Sequence, residues 1–133
     1  MKIEFCVTSI EGAIAAEQFK ADRIELCSRL DLDGLTPSLN LIQQCRSAYK
    51  GEIHIMIRPE GGPFICSDIT LRKMQNSIAK SAEIGINGIV FGLLTNKNEV
   101  NLKATALLVE MAKRYHLETT FHRAFDHLTD PIS

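Results

Sequence analysis

The sequence predicts an α/β fold that forms part of a (β/α)8 barrel, and three observations lead there. Five short apolar runs alternate with four amphipathic stretches. The runs recur at βαβ intervals of roughly 30 residues, the rhythm of parallel strands joined by right-handed crossovers. Four of the five runs, all but the fourth, also have one apolar and one polar face, whereas an open sheet covered by helices on both sides is apolar on both.

The first strand is expected at Lys2–Val7, with Ile3, Phe5 and Val7 on one face and Glu4 and Cys6 on the other. Thr8 and Glu11 read as a capping box for a helix bearing Ile10, Ala13 and Ile14. The second strand, Arg23–Cys27, sets Ile24 and Leu26 against Arg23, Glu25 and Cys27. Thr36-Pro37 opens the next helix, with Leu39, Ile42, Cys45 and Tyr49 along one side. Strand three, Glu52–Arg58, opposes Ile53, Ile55 and Ile57 to His54, Met56 and Arg58. Ser67 caps a third helix (Leu71, Met74, Ile78, Ala82), and Gly85 suits its end. A fourth strand is expected at Gly88–Gly92. Asn101 then caps a helix with Ala104, Leu107, Leu108, Met111 and Tyr115 at i, i+3, i+4 spacing. The fifth strand, Leu117–His122, places Thr119 and Phe121 opposite Thr120 and His122, and leads into Arg123 and Asp126.

Five strands in 133 residues would also suit a flavodoxin-like open sheet. The strand faces favour the barrel. A whole barrel runs to about 250 residues, so residues 1–133 are expected to be a single partial barrel domain of five strands and four helices.

Composition excludes several function classes. The net charge of −1 gives no electrostatic footprint for nucleic acid or an anionic membrane. No apolar run approaches the ~20 residues of a membrane helix. Glu4 interrupts the first apolar run and no small-residue cleavage site follows, so no signal peptide is expected and the location reads as cytoplasmic. Four scattered cysteines in such a setting read as free thiols.

On the polar strand face, Glu4, Cys6, Glu25, Cys27, Met56, Arg58 and His122 converge on one lumen. Cys6 and Cys27, at the ends of adjacent strands ~4.8 Å apart, are candidate ligands of one soft ion, Cu(I) first and Zn second. From spacing alone, the simpler reading is that both are small buried hydrophobes. Glu4, Glu25, Arg58 and His122 make an acid–base and anion-binding set, or else a self-neutralising ion network. Arg123 and Asp126 are expected to pair with each other. Cys45 belongs to a helix core face and Cys66 to a loop. His54, His116 and His127 show no metal-ligand spacing and are assigned to core or surface.

Four blocks, Ala21–Cys27, Gly34–Ser38, Ile57-Arg58-Pro59 with Gly61-Gly62, and Thr120–Asp126, resemble the CutC family across essentially the whole chain. The resemblance implies a cytoplasmic TIM-barrel protein named for copper homeostasis, some of whose members bind Cu(I) through cysteines. Carried onto this sequence, it implies Cys6 and Cys27 as copper ligands and Glu4, Glu25, Arg58, His122, Arg123 and Asp126 as the polar pocket. The family's Arg-Pro-Arg-Gly-Gly-Asp-Phe loop reads Arg58-Pro59-Glu60-Gly61-Gly62-Pro63-Phe64 here, its Tyr-Ser is Cys66-Ser67, and a usual Gly is Asp33.

Three functional readings follow. One is copper binding and homeostasis, with the copper ion as partner. Another is a barrel enzyme acting on a small anionic metabolite, with Glu25 and His122 as acid and base and Arg58 as anchor. The third is a fragment without a competent site. Open strand edges would make a second copy of the chain a candidate partner.

Overall fold

The structure is a computed structural model that describes residues 2–62, 65, 67–95, 97 and 99–121. Its strands are β1 (Glu4–Val7), β2 (Arg23–Leu26), β3 (Glu52–Met56), β4 (Gly88–Phe91) and β5 (Glu118–Phe121). Between them run α1 (Ile10–Gln18), α2 (Leu39–Ala48), α3 (Asp68–Ile84) and α4 (Leu102–Arg114), and a short 3₁₀ turn at Leu30–Leu32 interrupts the β2–α2 connection. All four strand pairs are parallel and the spatial order is β1-β2-β3-β4-β5. An open doubly wound sheet reverses its order at a switch point. Here the order never reverses, and right-handed crossovers then put every helix on one side. The chain forms part of a TIM (β/α)8 barrel.

The core lies on that helical side. Val7, Ile24, Leu26, Ile53, Ile55, Ile89 and Phe91 from the strands, with Ile57 just beyond β3, pack with Ala13, Ala16, Ile42, Cys45, Met74, Ile78, Ala104, Leu108 and Ala112 from the helices. Each fully buried isoleucine contributes about 1.5–3 kcal/mol relative to exposure, so this layer fixes which strand face turns outward. Tyr49, at the end of α2, is buried and donates its hydroxyl to the Ala21 carbonyl at 2.6 Å, tying α2 to the start of β2. Among the described residues, the inner face holds a small buried apolar cluster, Cys27, Met56 and Val90.

The helix caps depart from expectation in two places. Ser9, not Thr8, caps α1, its side chain accepting from the Gly12 amide at 3.2 Å. α2 starts at Leu39 under a Ser38 cap rather than at Thr36-Pro37. Thr36 is committed elsewhere: its hydroxyl accepts from the Arg58 amide at 2.8 Å and its own amide donates to the Arg58 carbonyl at 2.9 Å. The same exchange draws Arg58 away from the sheet, so β3 ends at Met56, two residues short of the predicted strand. The Ser67 and Asn101 caps stand as predicted, and Gly85 closes α3 at φ 98°, where only glycine is unstrained.

Candidate functional site

The parallel register converts the inward-facing strand residues into rows across the inner face. Cys6 pairs with Glu25, Glu25 with His54, His54 with Gly88 and Gly88 with Glu118. Met56, Val90 and Thr120 form the row above. A concavity of about 460 Å³ opens over these rows, lined by Cys6, Glu25, Cys27, Leu30, Asp33, Met56, Val90 and Thr120.

Cys6 is exposed in this concavity, while Cys27, just beyond β2, is 1% exposed. Burial, then the neighbouring Cys6 thiol with which it hydrogen-bonds, then the Glu25 charge, push the Cys27 thiol up to about 12. Neither thiol is in a disulfide, and Cys27 holds its proton at neutral pH. Gly34 lies over them at φ 95°. A side chain there would begin 3.2 Å from the Met56 methyl and 3.8 Å from the Cys27 sulfur, so the thioether and the buried thiol converge beneath one loop.

The carboxylates divide. Glu25 faces the concavity half-buried, and its carboxyl is raised above the ordinary value by desolvation first, then by the charge of Glu4 and a hydrogen bond with it. Glu4 is exposed and accepts from Arg23 at 2.7 Å. Arg58 is 6% exposed and borders a separate cavity of about 60 Å³. Its guanidinium donates to the Leu32 and Gly34 carbonyls and to the Gly62 carbonyl at 2.6 Å. Desolvation lowers its pKa, and Asp33 opposes that. These contacts clamp the β2–α2 loop to the β3–α3 loop. Cys45 sits in the outer core with its sulfur 3.9 Å from the Ser9 carbonyl, remote from the other thiols. His122, Arg123, Asp126, His127 and Cys66 lie outside the described residues.

The one-directional sheet agrees with what comparison finds. A protein-family model described as the CutC family matches residues 1–133. The chain belongs to the CutC family. It is 45% identical over 133 residues to a CutC family protein of Glaesserella parasuis, covering 100% of this chain and 54% of that one. Against the human copper homeostasis protein cutC homolog it is 39% identical over 131 residues, covering 98% of this chain and 47% of that one. A solved CutC structure from Streptococcus agalactiae superposes with a TM-score of 0.86 at 30% identity, over 96% of this chain and 62% of the other. The chain spans about half the length of the curated relatives it matches.

Two places where this CutC chain departs from the resemblance now have a setting. Asp33, where the family is expected to carry glycine, sits at φ 67° in the left-handed region, which Asp tolerates better than most side chains. Glu60, in place of an arginine, pairs with Lys73 at 2.8 Å on the surface.

Spacing alone set His54 aside, and the structure gives it a different setting. It is 1% exposed on the inner face, with Nε2 3.3 Å from Glu52 Oε1 and 3.6 Å from Glu118 Oε2. Glu52 and His54 stand two apart on one strand, a signal the sequence did contain. Glu118 joins them only through the register of β5, which a linear spacing search does not see. His116, by contrast, is exposed.

Proposed function

We propose that this protein binds Cu(I) through Cys6 and Cys27 and acts in copper homeostasis in the cytoplasm. The observation that supports this most is the pair of neighbouring thiols, one exposed and one buried, in a single concavity with the Met56 thioether beside them. Thiolate and thioether donors favour Cu(I) over harder ions. Cys6 offers the entry point, and Cys27 completes the site when the metal displaces its proton. Coordination therefore releases a proton, and affinity rises with pH. Relatives named for copper homeostasis point the same way, and no helix among the described residues is long and apolar enough to cross a membrane.

The test is Cu(I) transfer from a chromophoric chelator under anaerobic, reducing conditions. The Cys6→Ser/Cys27→Ser variant loses stoichiometric binding, whereas Cys45→Ser/Cys66→Ser keeps it. A Cys6→Ser/Cys27→Ser variant that competes for copper as well as the parent overturns the assignment.

A second reading draws on the raised Glu25 carboxyl. A carboxyl raised above its ordinary value by burial and a neighbouring carboxylate is suited to general acid catalysis, and a thermal-shift screen of small anionic metabolites, repeated on Glu25→Gln, tests it. In that reading Arg58 serves the substrate only if an anion takes the place of the loop carbonyls it now engages.

A further inference from the structure

We propose a second metal site, distinct from the thiols, in which Glu52, His54 and Glu118 bind a divalent first-row ion of the Zn²⁺ type at the amino-terminal ends of β3 and β5. The three donor atoms lie within 4.8 Å of one another. The imidazole Nε2 stands 3.3 Å from one carboxylate oxygen and 3.6 Å from the other. Zn²⁺ binds nitrogen and carboxylate oxygen at about 2.0–2.2 Å, so two ligands at a tetrahedral angle are separated by about 3.3–3.6 Å. The two measured edges already have that length. The adjustment an ion requires falls to the two exposed glutamate side chains rather than to the buried ring.

The histidine is built into place. Its side chain is 2% exposed, against 43% and 68% for Glu52 and Glu118. The ring lies flat across β4 at Gly88: a Cβ on that residue would fall 2.5 Å from Cε1 and Nδ1 and 2.9 Å from Cγ. The absence of a side chain at 88 lets the ring reach across one strand towards Glu118 on the next, with Nε2 directed at both carboxylates. An ordinary surface ion pair between flexible side chains has no such cradle.

The electrostatic surroundings favour a cation. Both glutamates line a cavity of about 160 Å³ in which Glu4, Asp22, Glu52 and Glu118 outnumber Lys2 and Arg23. Arg23 bonds to Glu4 at 2.7 Å and acts on Glu52 and Glu118 only through its charge, while His54 lies within 3.3 and 3.6 Å of their oxygens. One imidazole and two carboxylates suit Zn²⁺, Mn²⁺ or Fe²⁺ better than Cu(I). This chemistry separates the site from the thiol pair and does not depend on it.

The experiment uses the 133-residue chain, metal-free and reduced, in the Cys6→Ser/Cys27→Ser background, so that failure of the copper reading leaves it intact. Zn²⁺ competition against a fluorescent chelator is expected to show one equivalent bound. Co²⁺ in its place should give d–d absorption without a thiolate charge-transfer band. Glu118→Gln and Glu52→Gln, both changes at exposed carboxylates, each lower Zn²⁺ affinity by about tenfold or more, with far-UV circular dichroism unchanged. His54→Gln removes binding. No bound equivalent in the Cys6→Ser/Cys27→Ser background, a thiolate band with Co²⁺, or parental affinity in both glutamine variants overturns the proposal.

Discussion

Gly88→Ala is the substitution whose consequence follows most directly from geometry. An alanine Cβ would lie 2.5 Å from two atoms of the His54 ring and 2.9 Å from a third, where carbon atoms settle at about 3.5–4.0 Å. The ring must retreat by about 1 Å, yet it is 1% exposed and packed against its own sheet. Overpacking of this kind costs about 1–3 kcal/mol. Replacing a strand glycine otherwise gains about 0.5–1 kcal/mol from the unfolded chain's lost freedom. The net expectation is a loss of about 1–2 kcal/mol. A double-mutant cycle in urea isolates the cause. With His54→Ala the ring is gone, and Gly88→Ala becomes neutral or stabilising by about 0.5 kcal/mol, a coupling well above the ~0.3–0.5 kcal/mol scatter of independent sites. The same substitution should weaken Zn²⁺ binding without altering any ligand, because the displaced ring no longer aims Nε2 at the carboxylates. An equal cost of Gly88→Ala in both backgrounds, or none in either, would refute the argument that the missing side chain seats the imidazole.

Other perturbations read other parts of the structure. Tyr49→Phe removes a buried 2.6 Å hydrogen bond and orphans the Ala21 carbonyl, so it costs about 1–2 kcal/mol in chemical denaturation; a change below about 0.3 kcal/mol would show that water satisfies the carbonyl. Glu25→Gln is expected to be more stable than the parent at neutral pH. The folded-state pKa of Glu25 is raised by burial and by Glu4, so its stability contribution is full below the unfolded value and lost as pH rises through the folded one. The variant's advantage therefore shrinks on acidification and disappears below about pH 4.5, the unperturbed value; melting curves against pH that stay parallel would contradict this. Iodoacetamide at neutral pH should label exposed Cys6 well before Cys27, which burial and its neighbours push up to about 12. Peptide mapping that finds Cys27 modified first would reverse that order.

The fold was legible because the strands advertise their faces. Ile53, Ile55 and Ile57 against His54, Met56 and Arg58 state the alternation within six residues, and the structure turns the isoleucines to the helices as that pattern requires. What was not legible was competition for the same group. Thr36-Pro37 has the chemistry of a helix start, but the Thr36 hydroxyl and amide are taken by Arg58, 22 positions away. Ser38, two residues later, inherits the cap. Thr8 loses to Ser9 in the same way, and here the structure gives no reason beyond the one-residue shift of the helix start. Arg58 itself was read as an anion anchor from its place at a strand end. Its three carbonyl partners come from loops whose path no periodicity encodes.

The two metal hypotheses divide along the same line. Cys6 and Cys27 stand out in the sequence because a thiol is rare and both fall near strand ends, so alternation alone suffices to aim them into one concavity. Glutamate and histidine are common, and nothing in Glu52-Ile53-His54 distinguishes a ligand pair from a solvated strand edge. Register supplies the missing information: His54 pairs with Gly88 and Gly88 with Glu118, so a residue without a side chain stands between two with long ones. A buried ring spanning a glycine to reach a carboxylate two strands away is a property of three strands together. Sites of this kind become visible only when the sheet is read across its strands, and the inner face of this barrel is where that reading has most to work on.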